Sequence, residues 1–400
     1  MIEIPHRKLT RDSQILITAH GIQSIIRIII KVFLGIYFFK LTNGNLCALA
    51  SFYAIYYAVD SALFFIMLNY MKSGNRAKPY RFGVFIFSLF FLAILCLKDN
   101  AAGYIQLLAV VYGAATAFYY FPYNLLRFEL NSSTARGLYF GYEKAIEDIL
   151  SIVIPLIVGS VITISSYQPV FMVVIICTGI TFAFSYKLSN SEISKQKSDI
   201  KGFVKLLKDN KEGNVFSSYV TEFLRGLNYF GVLPVLIPII IFMKFSNEFT
   251  LGILSSIFSA VSILTSVIIA KFLHGKYFRN LIIVSGILLF AGTGLLIFDI
   301  SERAIIIYNI AFSIAIPVLT ILQSTYSWNS IDKTGLAEYK EEHFAIREAV
   351  SALGRVSGFI LLFFAGLFGN NIHVVRIALV IVSLSILLIP IHARKIGKLE

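Results

Sequence analysis

Twelve apolar stretches of roughly twenty residues, split six and six by a lysine-rich polar segment, constrain this chain more than any motif in it. A helix of that length spans the hydrocarbon core of a bilayer. Inside lipid the backbone must satisfy its own hydrogen bonds, and long continuous apolar runs do so as helices. A membrane barrel shows short alternating segments instead. A mean hydropathy of +0.79 is too high for a soluble domain of this size.

The hydropathy pattern predicts helices over 14–39, 46–71, 81–97, 102–126, 138–163 and 168–186. A second set is expected over 215–243, 249–273, 280–299, 304–328, 342–368 and 372–392. The chain thus reads as an all-α integral membrane protein in two six-helix bundles, 1–186 and 215–400, joined by a polar linker over 187–214. In that linker Ile200, Phe203, Val204 and Leu207 recur at helical spacing, with lysines on the other face. The pattern fits an amphipathic helix lying on a membrane surface, or a solvated basic linker.

Lysines and arginines mark one side of the membrane. The loops and ends on that side hold 24, from Arg7 and Lys8 through Lys72, Arg127 and the linker lysines to Lys398. The opposite loops hold four, Lys40, Lys98, Lys244 and Arg303, or five with Arg376. Both termini are therefore expected in the cytoplasm, and the locale is the cytoplasmic membrane of a bacterium. The formal charge of +13 reads as this topology signal, and no nucleic-acid partner is expected. The first apolar run is too long for a cleavable signal peptide and is expected to remain as the first span. Cys47, Cys96 and Cys177 fall singly inside spans, and the six histidines show no ligand spacing, so neither disulfides nor a metal site is expected. No cofactor is expected, because no phosphate-binding Gly-x-x-x-x-Gly-Lys-Ser/Thr loop occurs.

A faint internal repeat accompanies the two halves. A shift of 205 residues sets His20 on Arg225, Gly21 on Gly226 and Glu143 on Glu348. Parallel repeats of this kind are expected where two bundles rock about a central site.

The 6+6 layout with a basic central segment resembles the major facilitator superfamily over essentially the whole chain. That family's loop between spans two and three reads Gly-x-x-x-Asp-Arg/Lys-x-Gly-Arg/Lys-Arg/Lys. Here the stretch from Met67 to Arg76 keeps Lys72, Gly74 and Arg76, which the resemblance marks as a conformational loop, while Met71 replaces the aspartate. The family's antiporters often end span five in Gly-Pro-x-x-Gly-Gly. Pro155 and Gly159 preserve part of that ending and lean towards export. The stretch Phe118–Glu129, followed by Arg136 and Gly137, is similar to a little-characterised bacterial subgroup of the superfamily.

Charges within the spans point to a polar path. An ionisable group there costs about 2.5–3.5 kcal/mol on insertion scales and needs a partner or a water-filled cavity. Span one carries Arg27 and Lys31, with His20 and Gln23 nearer the cytoplasm. Asp60, Glu143, Glu147 and Glu222 are the acids expected to couple protons. Glu143 and Glu147 lie four apart on one face, so they either share a proton or pair with arginines. Asp60 either carries a proton or pairs with Arg27 or Lys31. His20 is either a relay group or a structural hydrogen-bonding residue. Arg27, Tyr123, Asn124, Arg225, Asn228, Gln323, Arg347 and Glu348 are the candidates for substrate binding, because the resembled fold puts their spans around the central cavity. Glu222 and Arg225, three apart, would bind each other or a zwitterion. For Tyr119, Tyr120, Tyr123 and Asn124, and for Gln323, Tyr326 and Trp328, anchoring at the membrane interface is the competing reading.

The function expected is secondary active transport by alternating access, with a small molecule and protons as partners and a monomer in the bilayer. Proton-coupled export of an amphiphilic metabolite, drug or small peptide leads. Proton-symport uptake of a sugar, organic acid or peptide is the alternative. A polytopic membrane enzyme, such as a lipid-linked glycan polymerase, is the reading from another class. Such enzymes need a large external loop, and Ser165–Pro169 and Asn370–His373 are short and hold no acid. The chain is therefore not read as an enzyme.

Overall fold

The computed structural model describes residues 9–131, 133–188, 199–209, 215–272, 278–333, 339–368 and 371–393. All long elements among them are helical. The first is α1, built from Arg11–Ile29, a π-helical turn Ile30–Leu34 and Gly35–Leu41. Then come α2 (Leu46–Ser73), α3 (Ala77–Leu97), α4 (Ile105–Glu129), α5 (Ser133–Ile164) and α6 (Tyr167–Ser185). A short helix α7 (Ile200–Asp209) lies between the halves. The second half opens with α8, built from Val215–Leu227, a second π turn Asn228–Val232 and Leu233–Phe245. It continues through α9 (Glu248–Phe272), α10 (Phe278–Phe298), α11 (Glu302–Lys333), α12 (Lys340–Phe368) and α13 (Asn371–Ala393).

Ten described stretches are long and apolar enough to cross a membrane. One of them, Ala77–Arg127, is 51 residues long and holds both α3 and α4, joined by the 3-10 turn Lys98–Tyr104. Helix α13 adds the shorter apolar run Ile372–Leu388. The chain is thus a multi-pass membrane protein, and its described helices are consistent with the twelve expected spans.

Local chemistry sets the turns. Asn43 and Gly44 take φ of 53° and 80° after α1, a left-handed bend that asparagine and glycine tolerate. Asn45 then caps α2, its side-chain oxygen accepting from the N–H groups of Cys47 (2.9 Å) and Ala48 (3.1 Å).

The two halves pack alike. In the first, α1 lies against α5 and α6, α2 against α4, and α3 against α4 and α6. In the second, α8 lies against α12 and α13, α9 against α11, and α10 against α11 and α13. The repeat read from sequence becomes a contact: a Cβ at Gly21 would sit 3.2 Å from Ile146, and one at Gly226 would sit 2.0 Å from the Ser351 carbonyl. Both pairs are related by the same 205-residue shift.

The halves meet chiefly along α2 with α12 and α5 with α9. A Cβ at Gly159 would be 2.5 Å from the Glu248 carbonyl, and one at Gly252 would be 2.3 Å from that of Pro155. Small residues let the α5 and α9 backbones touch, as is common where helices associate in lipid. At the end remote from the Lys72 loop, Lys40 of α1 binds Glu248 at 2.8 Å, and the Tyr167 hydroxyl donates to the same carboxylate at 3.3 Å. At the basic end, Lys72 binds Glu342 of α12 at 2.5 Å, and Glu342 also accepts the Asp199 N–H at 2.9 Å. Phe64, Met67, Met71, Phe121 and Ala345 close over that end as an apolar plug. Helix α7 docks there through Phe203, which stacks on Tyr339 with ring centres 5.6 Å apart. The rest of the linker, 189–198 and 210–214, and both chain ends lie outside the described residues.

Candidate functional site

Helix α1 packs on α5 and α6, and its polar residues meet α4 and α5. His20 is buried, and its Nδ1 shares a 2.9 Å hydrogen bond with the Tyr119 hydroxyl. Its Nε2 faces two carboxylates, Glu147 at 3.2 Å and Glu143 at 3.5 Å. The imidazole is held flat against Tyr123, ring centres 4.0 Å apart at 9°. The Glu143 carboxylate accepts from the Tyr123 hydroxyl at 2.8 Å and from Arg127 at 3.2 Å. The Glu147 carboxylate is ion-paired with Arg27. A continuous line of exchangeable hydrogens and carboxylate oxygens therefore runs from Arg127, at the basic end of α4, through Glu143 and His20 to Glu147 and Arg27.

The spacing of the two glutamates explains the convergence. Four residues apart on α5, both carboxylates lie on the face turned to α1. The ligand atoms of His20, Glu143 and Glu147 all lie within 4.8 Å of one another, close enough to hold a cation. Each carboxylate already holds a guanidinium, however, so a divalent ion would have to displace two arginine contacts. Arg27 and Glu147 keep 38% and 22% of their side chains exposed, so this end of the line is accessible.

The second half carries arginines where the first carries histidine. Arg225 reaches Glu222 at 3.3 Å and lies 3.9 Å over the ring centre of Phe230, beside the π turn of α8. Arg355 of α12 binds Glu348 at 2.9 Å and Ser351 at 3.0 Å, and it sits 5.0 Å from the Tyr57 ring of the first half. Asp60 is buried on α2, accepts a 2.9 Å hydrogen bond from Thr116, and feels the Arg355 charge across the interface. It pairs with neither Arg27 nor Lys31. Arg27 is taken by Glu147 instead.

The remaining sequence candidates divide. Tyr123 joins the line through its bond to Glu143 and its stacking on His20, whereas Asn124 is half-buried beside it. Asn228 is fully buried, its amide donating to the Leu224 carbonyl (2.8 Å) and accepting from Ser385 (3.1 Å), so it ties α8 to α13. Arg347 lies 5.4 Å over Phe344. Lys72 and Arg76 both work as ties, the latter pairing with Glu129 and donating to the Met71 carbonyl at 2.9 Å. Gly74 closes α2 by donating to the Tyr70 carbonyl. The backbone at Gln323, Tyr326 and Trp328 belongs to α11, and their side chains lie outside the described residues. Sequence reasoning counted Arg127 and Lys40 only as topology charges, placed Lys72 in the conformational loop without a partner, and passed over Glu248 and Glu342. Their partners lie across the bundle, and no spacing along the chain signals them.

Comparison with known proteins agrees with this architecture. A family model described as Major Facilitator Superfamily matches residues 16–335. The curated Uncharacterized protein YqgE of Bacillus subtilis (strain 168) is 23% identical over 352 residues, covering 85% of this chain and 79% of that one. Among solved structures, a point mutant of the nucleoside transporter NupG superposes with a TM-score of 0.72 at 14% identity, over 96% of this chain and all of that one. A bacterial homologue of the iron transporter ferroportin, in its inward-facing state, gives 0.68 at 14% identity, over 98% of this chain and 99% of that one.

Proposed function

Because the chain belongs to the major facilitator superfamily and is a secondary transporter, we propose that protons drive it through the His20–Glu143–Glu147 line, and that it exports an amphiphilic solute. One observation carries the reading: a buried imidazole of α1 hydrogen-bonded to Glu147 of α5, with Glu143 3.5 Å from the same nitrogen. Imidazole and carboxylate can trade a proton at physiological pH, which a pair of fixed ions cannot. When the proton sits on this triad, Arg27 loses part of its hold on Glu147 and can turn to solute. When the proton leaves, the Arg27–Glu147 pair reforms. Rocking of one bundle against the other alternates access, and the Lys40–Glu248 and Lys72–Glu342 ties open in turn. Pro155 and Gly159, seated where α5 meets α9, lean the direction towards export. The basic end faces the cytoplasm in this reading.

Proteoliposomes with an imposed pH gradient and a panel of amphiphilic solutes and small peptides test both claims. An acid lumen should drive solute in, as antiport requires, and Glu147→Gln should abolish that accumulation while solute exchange persists. Accumulation driven by an acid exterior would mean symport and overturn export. Indifference to either gradient would remove proton coupling. For orientation, Ser166→Cys in a cysteine-free background should react with an impermeant thiol reagent on intact cells, and Lys201→Cys should not.

A further inference from the structure

The site line leaves one mid-helix cation unused. Lys31 sits in the π turn of α1, one turn beyond Arg27. Among the described residues it makes no ion pair or hydrogen bond, and the nearby Glu147 is already held by Arg27 and His20. Lys144, also close by, is paired with Asp148 on its own helix. Three cations against two acids leave this patch with a positive charge in excess.

The surroundings show where that charge points. From Ala19 to Phe39 every residue of α1 is buried or half-buried except Lys31, which is exposed. The turn that carries it touches α8 and α9 of the other half. Gly35, one turn further on the same face, lies against Val235 of α8, with 3.9 Å between Val235 and a Cβ built at the glycine. Lys31 is thus exposed on an otherwise buried stretch of α1, at a turn that meets the other half, and Arg27 and Glu147 one turn away are also partly accessible. A π turn widens the helix locally and is frequent where a side chain must be re-aimed for function. A lone ammonium kept inside the spans without a protein partner calls for a partner supplied from outside.

We propose that Lys31, together with Arg27, forms the binding site for an oxyanion of the transported solute, a carboxylate or a phosphate. This rests on the transport reading above and names the solute's charge. Lys31 supplies a point charge, and Arg27 supplies a planar fork that takes two oxygens at once. Release of Arg27 from Glu147 by protonation would make that fork available as the proton arrives, coupling the two ligands.

The test is thermal unfolding of the purified full chain in detergent at constant ionic strength. The probes are inorganic phosphate, succinate and adenosine monophosphate, with succinamide and adenosine as uncharged counterparts. At least one oxyanion should raise the midpoint of the wild type and of Lys31→Arg, while its uncharged counterpart does not. In Lys31→Gln and Lys31→Met the apparent Kd of that probe should rise at least about tenfold. The ligand-free midpoint of both neutral variants should equal or exceed the wild type, since they lose only an unpaired charge. Phosphate against succinate tells which oxyanion is preferred. No oxyanion effect on the wild type, an equal effect on the neutral variants, or neutral variants that fail to fold while Lys31→Arg folds would each overturn the proposal. Binding in detergent needs no gradient, so a Lys31-dependent shift alongside failed pH-driven transport would sink the coupling reading alone.

Discussion

The two halves of this transporter use the same pair of helices in the same contact and load it with different chemistry. The shift of 205 residues carries Gly21 against Ile146 of α5 onto Gly226 against Ser351 of α12. One residue earlier the first half has His20, bonded towards Glu143 and Glu147, whereas the second has Arg225, bonded to Glu222 on its own helix. Glu143 and its counterpart Glu348 are both paired to arginine, but only Glu143 also meets an imidazole. Guanidinium stays charged at any physiological pH, and imidazole does not. The scaffold is repeated, while an imidazole at this helix contact belongs to the first copy. The proposal accordingly places coupling in the first half and leaves the second with fixed charge.

Replacing His20 by its counterpart is the sharpest way to break this contrast. His20→Arg keeps a cation between the two glutamates but removes the exchangeable proton. One-proton antiport sustains about tenfold accumulation per unit of pH gradient, and the variant should fall to none. Full pH-driven accumulation by His20→Arg would show that the difference between halves has no part in coupling.

A second substitution probes the fixed charges. Arg225→Ala leaves the buried Glu222 carboxylate without its arginine and should cost about 3–5 kcal/mol of stability. Adding Glu222→Gln should recover most of it if the two act as a pair. Chemical or thermal unfolding of the two variants in detergent reads this directly. A double variant as unstable as the single would assign Arg225 another partner.

The glycine contacts differ in tightness, which makes a smaller comparison. At Gly226 an added methyl would meet the Ser351 backbone, which cannot move aside, and overpacking of this kind costs about 1–3 kcal/mol. At Gly21 the neighbour is the γ2 methyl of Ile146 at 3.2 Å, a side-chain contact that needs to give by only a few tenths of an ångström. Gly226→Ala should therefore lower the unfolding midpoint clearly and Gly21→Ala barely. Equal effects would mean that the two contacts do not differ in tightness. Smallest of all is Phe230→Leu, which removes the ring beneath Arg225 and should cost about 0.5–2 kcal/mol.

Much of the fold was legible in the sequence because lipid leaves the chain few options. Length of apolar run, helix and crossing are nearly one statement in a bilayer, so the spans α1 to α6 and α8 to α13 could be read from hydropathy. The two-bundle plan and the 205-residue repeat followed from the same pattern, and Glu143 and Glu147 announced a shared face by their spacing. The sequence alone also marked Arg27, Lys31, Asp60 and Arg225 as costly where they stand. Which of these charges are paired was decided only by the tertiary structure. Partners such as Lys40 and Glu248, Lys72 and Glu342, or His20 and Glu147 are between 127 and 270 residues apart. A charge interacts through space within a few ångströms, and helical periodicity says which way a side chain points on its own helix but not what another helix brings to meet it. For the same reason Asn228, a plausible ligand by position, proved to be spent on Ser385, and Lys31, one charge among several in the sequence, emerged as the cation left over.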